Sequence, residues 1–424
     1  MEILTTCPAC SNNHFDLLID LGLAPQSGCL LERPGEVCPQ AHLVFEFCTH
    51  CSLIRRKLLS RSELLDYKYV NRATGIRQPD YVTQIVDSLK NRGVEEPDLI
   101  VEVGANDGAF LDVVRQAGFA NRLAIEPSRE CAAMCAAHGH PVESKYLDYS
   151  TAMRIREQYG AAGAVICRHT LEHTPDPVEL LRAMRLLLRK GGALFIEVPD
   201  ARNVTRLMRV HELWEEHLHY FTLDNLPLLL SRTGLVIDEA VRIPYRGTVN
   251  LLIWCRDDSR EAEQVASSTD HSADLADCRD FGAHWSKLRQ RIMSCTRNWP
   301  KPVVFIGISH PQSNYLLFSG LGHQIDYLVD DDPSKIGRYA PVPQPVPIIS
   351  TAQLISDYAP GTLVRGAFGY TEWMDYIGQA LAPRDVLVIE PYPSSETSQV
   401  LETCEVSARC VGDRTLSFPE EKEA

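Results

Sequence analysis

Short apolar runs alternating with helical periodicity dominate the middle of the chain. Leu99-Ile100-Val101-Glu102-Val103 is such a run; the glycine-bearing turn Gly104-Ala105-Asn106-Asp107-Gly108 follows, then the pattern Ala109-Phe110-Leu111-Asp112-Val113-Val114. The order reads as strand, tight turn, helix. Similar runs recur at residues 122–126, 164–167 and 193–198, alternating with helical stretches such as residues 177–182. This alternation predicts βαβ units and a parallel sheet with right-handed crossovers. A second α/β region begins at Pro302-Val303-Val304-Phe305-Ile306-Gly307 and continues through runs at 327–330, 362–364 and 385–390. Between the two regions, from Asp257 to Asp280, the chain is polar and rich in Ser, Asp and Glu, which reads as a linker or exposed helical spacer. The first 75 residues have turn residues (Pro25, Gly28, Pro34, Gly35) and little helical pattern. That segment is too small to hold a good core without a staple.

Cysteine spacing supplies the staple. Cys7-Pro-Ala-Cys10 and Cys48-Thr-His-Cys51 are two Cys-x-x-Cys pairs with 37 residues between them. Each pair spans one edge of a tetrahedral ion, so four thiolates fill a structural Zn²⁺ site and leave no open position for catalysis. Cys38 and His50 are alternative ligands for one position. The other cysteines show no such repeat, and in a cytosolic protein they read as reduced core residues rather than disulfides.

Length and charge narrow the function classes. At roughly 150 residues per domain, 424 residues make two or three domains: a zinc-binding module over 1–75, a ligand-binding α/β domain over 76–256, a linker over 257–299 and a second α/β domain over 300–412. The net charge of -14 argues against nucleic acid or an anionic membrane as partner. The absence of a signal-like start or a long apolar stretch points to the cytoplasm.

The strand-end motifs point to a nucleoside ligand. The turn after Val103 lacks the full G-x-G-x-x-G dinucleotide fingerprint. Glu102 at a strand end and Gly104 in the turn suit a ligand that brings its backbone close and offers a cationic amine. Glu126, 18 residues past Gly108, is placed to accept both hydroxyls of a ribose. Cys167-Arg168-His169-Thr170-Leu171-Glu172-His173 follows another strand at its carboxyl end, where α/β sheets bind ligands. His169 and His173, four apart, either face one ligand or hydrogen-bond the start of the next helix. Trp214-Glu215-Glu216-His217-Leu218-His219-Tyr220-Phe221 packs acids and imidazoles together, and an adjacent carboxylate raises the basicity of an imidazole. A solvated helix end is the alternative reading, and the roles of His173, His219 and Tyr220 stay open.

These features in order resemble the sugar C-methyltransferases. The resemblance rests on the four cysteines, on residues 102–108 followed by Ile125-Glu126-Pro127-Ser128, on Glu216-His217 before Tyr220-Phe221, and on Val329-Asp330-Asp331-Asp332-Pro333-Ser334-Lys335-Ile336-Gly337. It implies an α/β architecture: a zinc module, a class I S-adenosylmethionine (SAM) domain and a C-terminal Rossmann-like domain closing over substrate. It implies SAM at Glu102, Gly104, Asn106, Asp107, Glu126, Arg168 and His169. It implies methylation of a carbon beside a ketone in a nucleotide-linked deoxysugar of secondary metabolism. His217, Glu216 and Tyr69, the last reaching in from the zinc module, would stand at the reacting centre. Trp214 replaces a tyrosine usual in the family, and the turn at residues 307–314 lacks the family's glycine- and alanine-rich, lysine-containing form. The competing readings are O- or N-methylation of a small secondary metabolite, and a non-catalytic zinc-stapled scaffold.

Overall fold

Four apolar runs of the middle region are long enough to cross a sheet covered on both faces, and they become four of its five parallel strands. The computed structural model describes residues 5–58, 81–245, 248–265, 270–367, 370–381, 386–389 and 408–410. Its first sheet comprises β1 (Phe15–Pro25), β2 (Gln40–Cys48) and β3 (Ile54–Arg56), all antiparallel, closed by His219–Tyr220 (β9) from the middle of the chain. The N-terminal module is therefore not a contiguous stretch of sequence. Ile54 pairs with Tyr220 and Arg55 with His219.

The central sheet holds β4 (Leu99–Val103), β5 (Arg122–Ile125), β6 (Val142–Glu143), β7 (Ala162–Arg168), β8 (Leu188–Pro199), β10 (Leu235–Tyr245) and β11 (Thr248–Asp257), in the order β10-β11-β8-β7-β4-β5-β6. The β4 to β8 strands run parallel, and β11 and β10 add an antiparallel edge. After β6 the chain crosses over β4 to reach β7, which opens a crevice at the carboxyl ends of β4 and β7. Two apolar layers cover the sheet, one around Val101, Val165 and Ile196, the other around Ile100, Ile166 and Phe195. Cys7, Cys48 and Cys51 pack into the first layer, so the cysteine cluster is joined to the central domain.

A third sheet, order β14-β15-β13-β12-β16-β17-β18, contains β12 (Val303–Ile306), β13 (Tyr327–Val329), β14 (Tyr339–Pro341), β15 (Pro345–Ile349), β16 (Thr362–Arg365), β17 (Leu387–Ile389) and β18 (Ala408–Cys410). It is parallel except at β14 and β18.

The expected exposed spacer is instead a packed element. Helix Ser272–Thr296 buries Cys278, Phe281, Trp285 and Ile292, an apolar stripe at helical spacing. Phe281 and Trp285 join Leu43, Phe45 and Phe47 of β2 in one cluster, with Phe318 from the C-terminal domain. Among the described residues, no helix is long and apolar enough to cross a membrane. Phe281, fully buried, carries much of this docking. Phe281→Ala is expected to cost about 3–5 kcal/mol, seen as a lower denaturation midpoint and faster proteolysis of the N-terminal sheet.

Candidate active site

The crevice begins at the turn after β4. Gly104 has φ +75°, and a Cβ there would fall 2.0 Å from Thr170 Oγ1, so only glycine lets this turn approach the segment after β7. Glu102 is buried, and its Oε2 has no hydrogen-bond partner. Burial pushes its carboxyl up to about 8 against the opposing pull of Arg168. An unsatisfied buried acid at this position fits a ligand that brings a cationic amine. Glu126 ends β5; its two oxygens accept the Asn106 and Ser128 backbone N–H groups at 2.8 Å each, fixing both turns beside the crevice. Burial raises this carboxyl as well. Asp107 is buried, and its Oδ1 accepts the Ala109 N–H at 3.2 Å at the start of helix Ala109–Gln116.

Arg168 and His169 have protein partners. Glu197 on β8, fully buried, receives Arg168 Nε at 2.6 Å, His169 Nε2 at 3.1 Å, the Tyr81 hydroxyl at 2.6 Å and Asn250 Nδ2 at 2.8 Å. Burial would raise the Glu197 carboxyl, but Arg168 and His169 outweigh it and hold it well below the usual range. Burial would lower His169, but Glu197 and Glu172 carry it up to about 9. Sequence reasoning missed this hub, although an acid inside the apolar run 193–198 was a signal for it.

The second half of the site is the segment 214–220, tied down on both sides. On the N-terminal side, Arg56 donates to the Glu215 carbonyl at 2.9 Å, and the Arg56 N–H to the Leu218 carbonyl at 3.0 Å. The Glu215 carboxylate accepts the Ser27 N–H at 2.5 Å and the Ser27 hydroxyl at 2.9 Å. On the central-domain side, Leu218 N–H reaches the Glu172 carbonyl at 2.8 Å, and His173 Nδ1–H donates to the Glu216 carbonyl at 2.8 Å. The strap brings Glu216 and His217 to the same turn after β7 that borders the cofactor crevice. His219 and Tyr220 are buried; the Tyr220 hydroxyl accepts the Trp214 N–H at 3.0 Å, a structural task.

Aromatic rings surround His217. Its ring centre lies 4.8 Å from that of His173 and 4.7 Å from that of Trp214, whose far side meets His310 of the C-terminal domain at 4.9 Å. Gly28 approaches His310 so closely that a Cβ would lie 2.8 Å from its Nε2. Three units thus meet here. The electrostatics differ from the expected mutual tuning: burial, then His173, His169 and His310, push His217 well below its usual value, so it is a neutral imidazole. Burial and then the Glu215 charge push Glu216 up to about 8, leaving it protonated at neutral pH. Tyr69 lies outside the described residues.

Cys7, Cys10, Cys48 and Cys51 converge, with Sγ–Sγ distances of 3.6 Å for Cys7–Cys51 and 3.5 Å for Cys10–Cys48. Four thiolates at Zn–S distances of about 2.3 Å need separations of about 3.8 Å, so the donor set fits zinc. Cys38 is no substitute ligand: it forms a disulfide with Cys29, contrary to the reading of the remaining cysteines as reduced.

The doubly wound central sheet with this crevice defines a class I methyltransferase domain. Residues 77–240 match the family model described as "Methyltransferase domain". The chain is 27% identical over 366 residues to the C-methyltransferase NovU of Streptomyces niveus, covering 82% of this chain and 86% of that protein. It is 32% identical over 119 residues to a ubiquinone biosynthesis O-methyltransferase of Xanthomonas oryzae, 28% of this chain and 46% of that one. A SAM-dependent methyltransferase structure from Clostridium acetobutylicum covers 43% of this chain and 93% of its own at 11% identity and TM-score 0.36. The protein is a SAM-dependent methyltransferase.

Adding a side chain at Gly104 tests the crevice directly. Gly104→Ala is expected to weaken SAM binding at least about tenfold, from the strain of the left-handed turn and the clash with Thr170, as measured by titration calorimetry.

Proposed function

We propose that the enzyme is a C-methyltransferase acting on a carbon α to a ketone, in a nucleotide-linked keto-deoxysugar. The observation that carries the reading is the adjacent pair His217 and Glu216, one a neutral imidazole and the other a protonated carboxyl, half-buried together beside the cofactor crevice. Carbon becomes a nucleophile only when its α-proton is removed, which needs a base and a donor for the enolate oxygen. His217 takes the proton at a ring nitrogen. Glu216 donates its acid proton to the developing oxyanion. The likeness to NovU, which covers 82% of this chain and 86% of that protein, supports transfer to carbon.

SAM would be held by Glu102, Gly104 and the turn through Asn106 and Asp107, with Glu126 toward the ribose and Arg168 and His169 along the wall; when bound it supplies an electrophilic methyl group. The remaining task of the chain is alignment and exclusion of water. Tyr69 belongs to the same proposal through the family resemblance. The four cysteines hold structural zinc.

The two pKa directions give a sign for pH dependence. A base must be deprotonated, so turnover rises with pH through the low value of His217; an acid must be protonated, so turnover falls as pH passes about 8. The profile is expected to be a bell with its plateau near neutrality. The experiment supplies methyl-labelled SAM and a panel of nucleotide-linked 4-keto-deoxysugars, reading products by mass and carbon NMR. A methyl on carbon beside the ketone is the expected result; transfer only to amine or hydroxyl acceptors would refute the substrate. His217→Asn is expected to lower turnover about 10²–10⁴-fold while SAM binding stays unchanged.

Metal analysis is expected to find one zinc per chain. Cys48→Ser should release it and lower turnover more than it weakens SAM binding, because the N-terminal sheet holds the acceptor side of the site.

A further inference from the structure

One buried carboxylate at this site has no task in the reaction as described. Glu172 lies in the short turn after β7, is 2% exposed, and neither of its side-chain oxygens has a hydrogen-bond partner. His169, whose Nε2 meets Glu197, places its Nδ1 3.6 Å from one of them as an ion pair too long for a hydrogen bond, and the other oxygen has no partner. One oxygen of Glu172 and one ring nitrogen each of His173 and His217 lie within 4.8 Å of one another. A carboxylate removed from water without a donor is unfavourable, and it is compensated when positive charge arrives beside it. The proposed reaction delivers such a charge: the acceptor's C–H bond breaks, its electron pair stays on the acceptor as the enolate, and an N–H bond forms on His217, making an imidazolium.

We propose that Glu172 is a positioning residue for proton abstraction, its carboxylate serving as counter-charge to the imidazolium that forms on His217. The inference rests on the reading of His217 as base. His173 completes the arrangement. Its Nδ1–H is committed to the Glu216 carbonyl, which fixes its ring against that of His217, on the side where Glu172 lies. The other titratable groups around this cluster are His169 with its Glu197–Arg168 partners, Glu215 and Glu216 on the strap, and His310 from the C-terminal domain. Glu215 is engaged with Ser27 and His169 with Glu197. Glu172 places one oxygen within 4.8 Å of a His217 ring nitrogen, and neither of its oxygens has a hydrogen-bond donor.

The sequence places this residue in Leu171-Glu172-His173, a stretch whose histidines drew attention while its acid did not. The turn is short, and the Glu172 carbonyl is already bound by the Leu218 N–H, so its backbone is fixed from the strap and the side chain stays inside.

Glu172→Gln keeps size and burial but removes the charge, so His217 becomes a weaker base. The test measures solvent deuterium entering the α position of thymidine-diphosphate-linked 4-keto-6-deoxyglucose, in the presence of S-adenosylhomocysteine so that no methyl is transferred. The expected result is a plateau rate lower by about tenfold and a rising limb displaced toward acid pH by about one unit, with Glu172→Asp restoring the limb. A purely structural defect would lower the rate without moving the limb, and that result overturns the proposal. Nitrogen-15 NMR titration of the imidazoles reads the same shift at His217 without an acceptor; an unchanged His217 titration in Glu172→Gln also overturns it. His217→Asn separates the two readings. Full exchange in that variant removes the base and this inference with it, whereas a silent His217→Asn beside a wild-type Glu172→Gln leaves the base standing and refutes the role of Glu172. A second equivalent of divalent metal per chain that disappears in Glu172→Gln would likewise refute it, by making the carboxylate a ligand.

Discussion

The strap at residues 214–220 is the constraint on which the site depends. Its backbone is held from one side by β3 and from the other by the turn after β7: Leu218 donates to the Glu172 carbonyl and accepts from the Arg56 N–H. Neither side works without the other, because β3 has only three residues and a free three-residue strand has no stability of its own. What steadies β3 is the pair of cysteines just before it. Cys48 ends β2 and Cys51 precedes Ile54 by three residues, with Ser52 in a left-handed turn (φ 58°) whose N–H returns to the Cys48 carbonyl. A four-sulfur cluster, through β3, therefore governs the position of His217 far along the sequence. This gives a physical reason for a metal-sized cluster of thiolates in a protein whose reaction needs no redox chemistry.

Buried acids in this chain fall into two groups, and the difference between them separates scaffold from chemistry. Glu197 is fully enclosed and fully compensated by Arg168, His169, Tyr81 and Asn250; it stays ionised and locks the wall of the crevice. Glu102 and Glu216 are buried or nearly so without such partners, and both are pushed up to about 8. Groups of the second kind carry a desolvation cost that a ligand or transition state offsets, which is why they line pockets rather than cores. The same reasoning separates Glu197, which takes four side-chain donors, from Glu172, which is paired with His169 at 3.6 Å and has no side-chain hydrogen bond.

Much of the central and C-terminal domains was legible because parallel strands covered on both faces read as continuous apolar runs: 99–103, 122–126, 164–167 and 193–198 fall on β4, β5, β7 and β8. What could not be read has local physical causes. The β9 strand is two residues long and forms only because β3 lies beside it, so no pattern marks it. Helix Ser272–Thr296 carries its apolar stripe on a polar background of mixed charge that hides the spacing of Cys278, Phe281 and Trp285. Arg168 and His169 sit where strand-end logic puts ligand contacts, yet the partner that engages them is an acid on the neighbouring strand. The convergence of the four cysteines followed from spacing, but their burial in the central core did not. The pairing of Glu216 with His217 was visible; that the pair would be shifted toward neutral forms depends on enclosure, which a sequence does not display.

Trp214 then acquires a structural meaning. An indole cannot exchange a proton, and here its ring contacts both His217 and His310, linking the strap to the C-terminal domain. The contact continues to Gly28 of the N-terminal module, which is anchored nearby by Ser27 on Glu215 and by the paired backbones of Leu31 and Tyr339. Trp214 thus contributes shape and exclusion of water rather than acid–base chemistry. On the strap, the Tyr220 hydroxyl is committed to the Trp214 backbone and Glu215 to Ser27, which leaves Glu216 as the strap acid with an unpartnered side-chain oxygen. Burial that raises Glu216 and lowers His217 is the same enclosure that Trp214 and His310 complete, so the third domain acts on the chemistry by keeping the pair neutral.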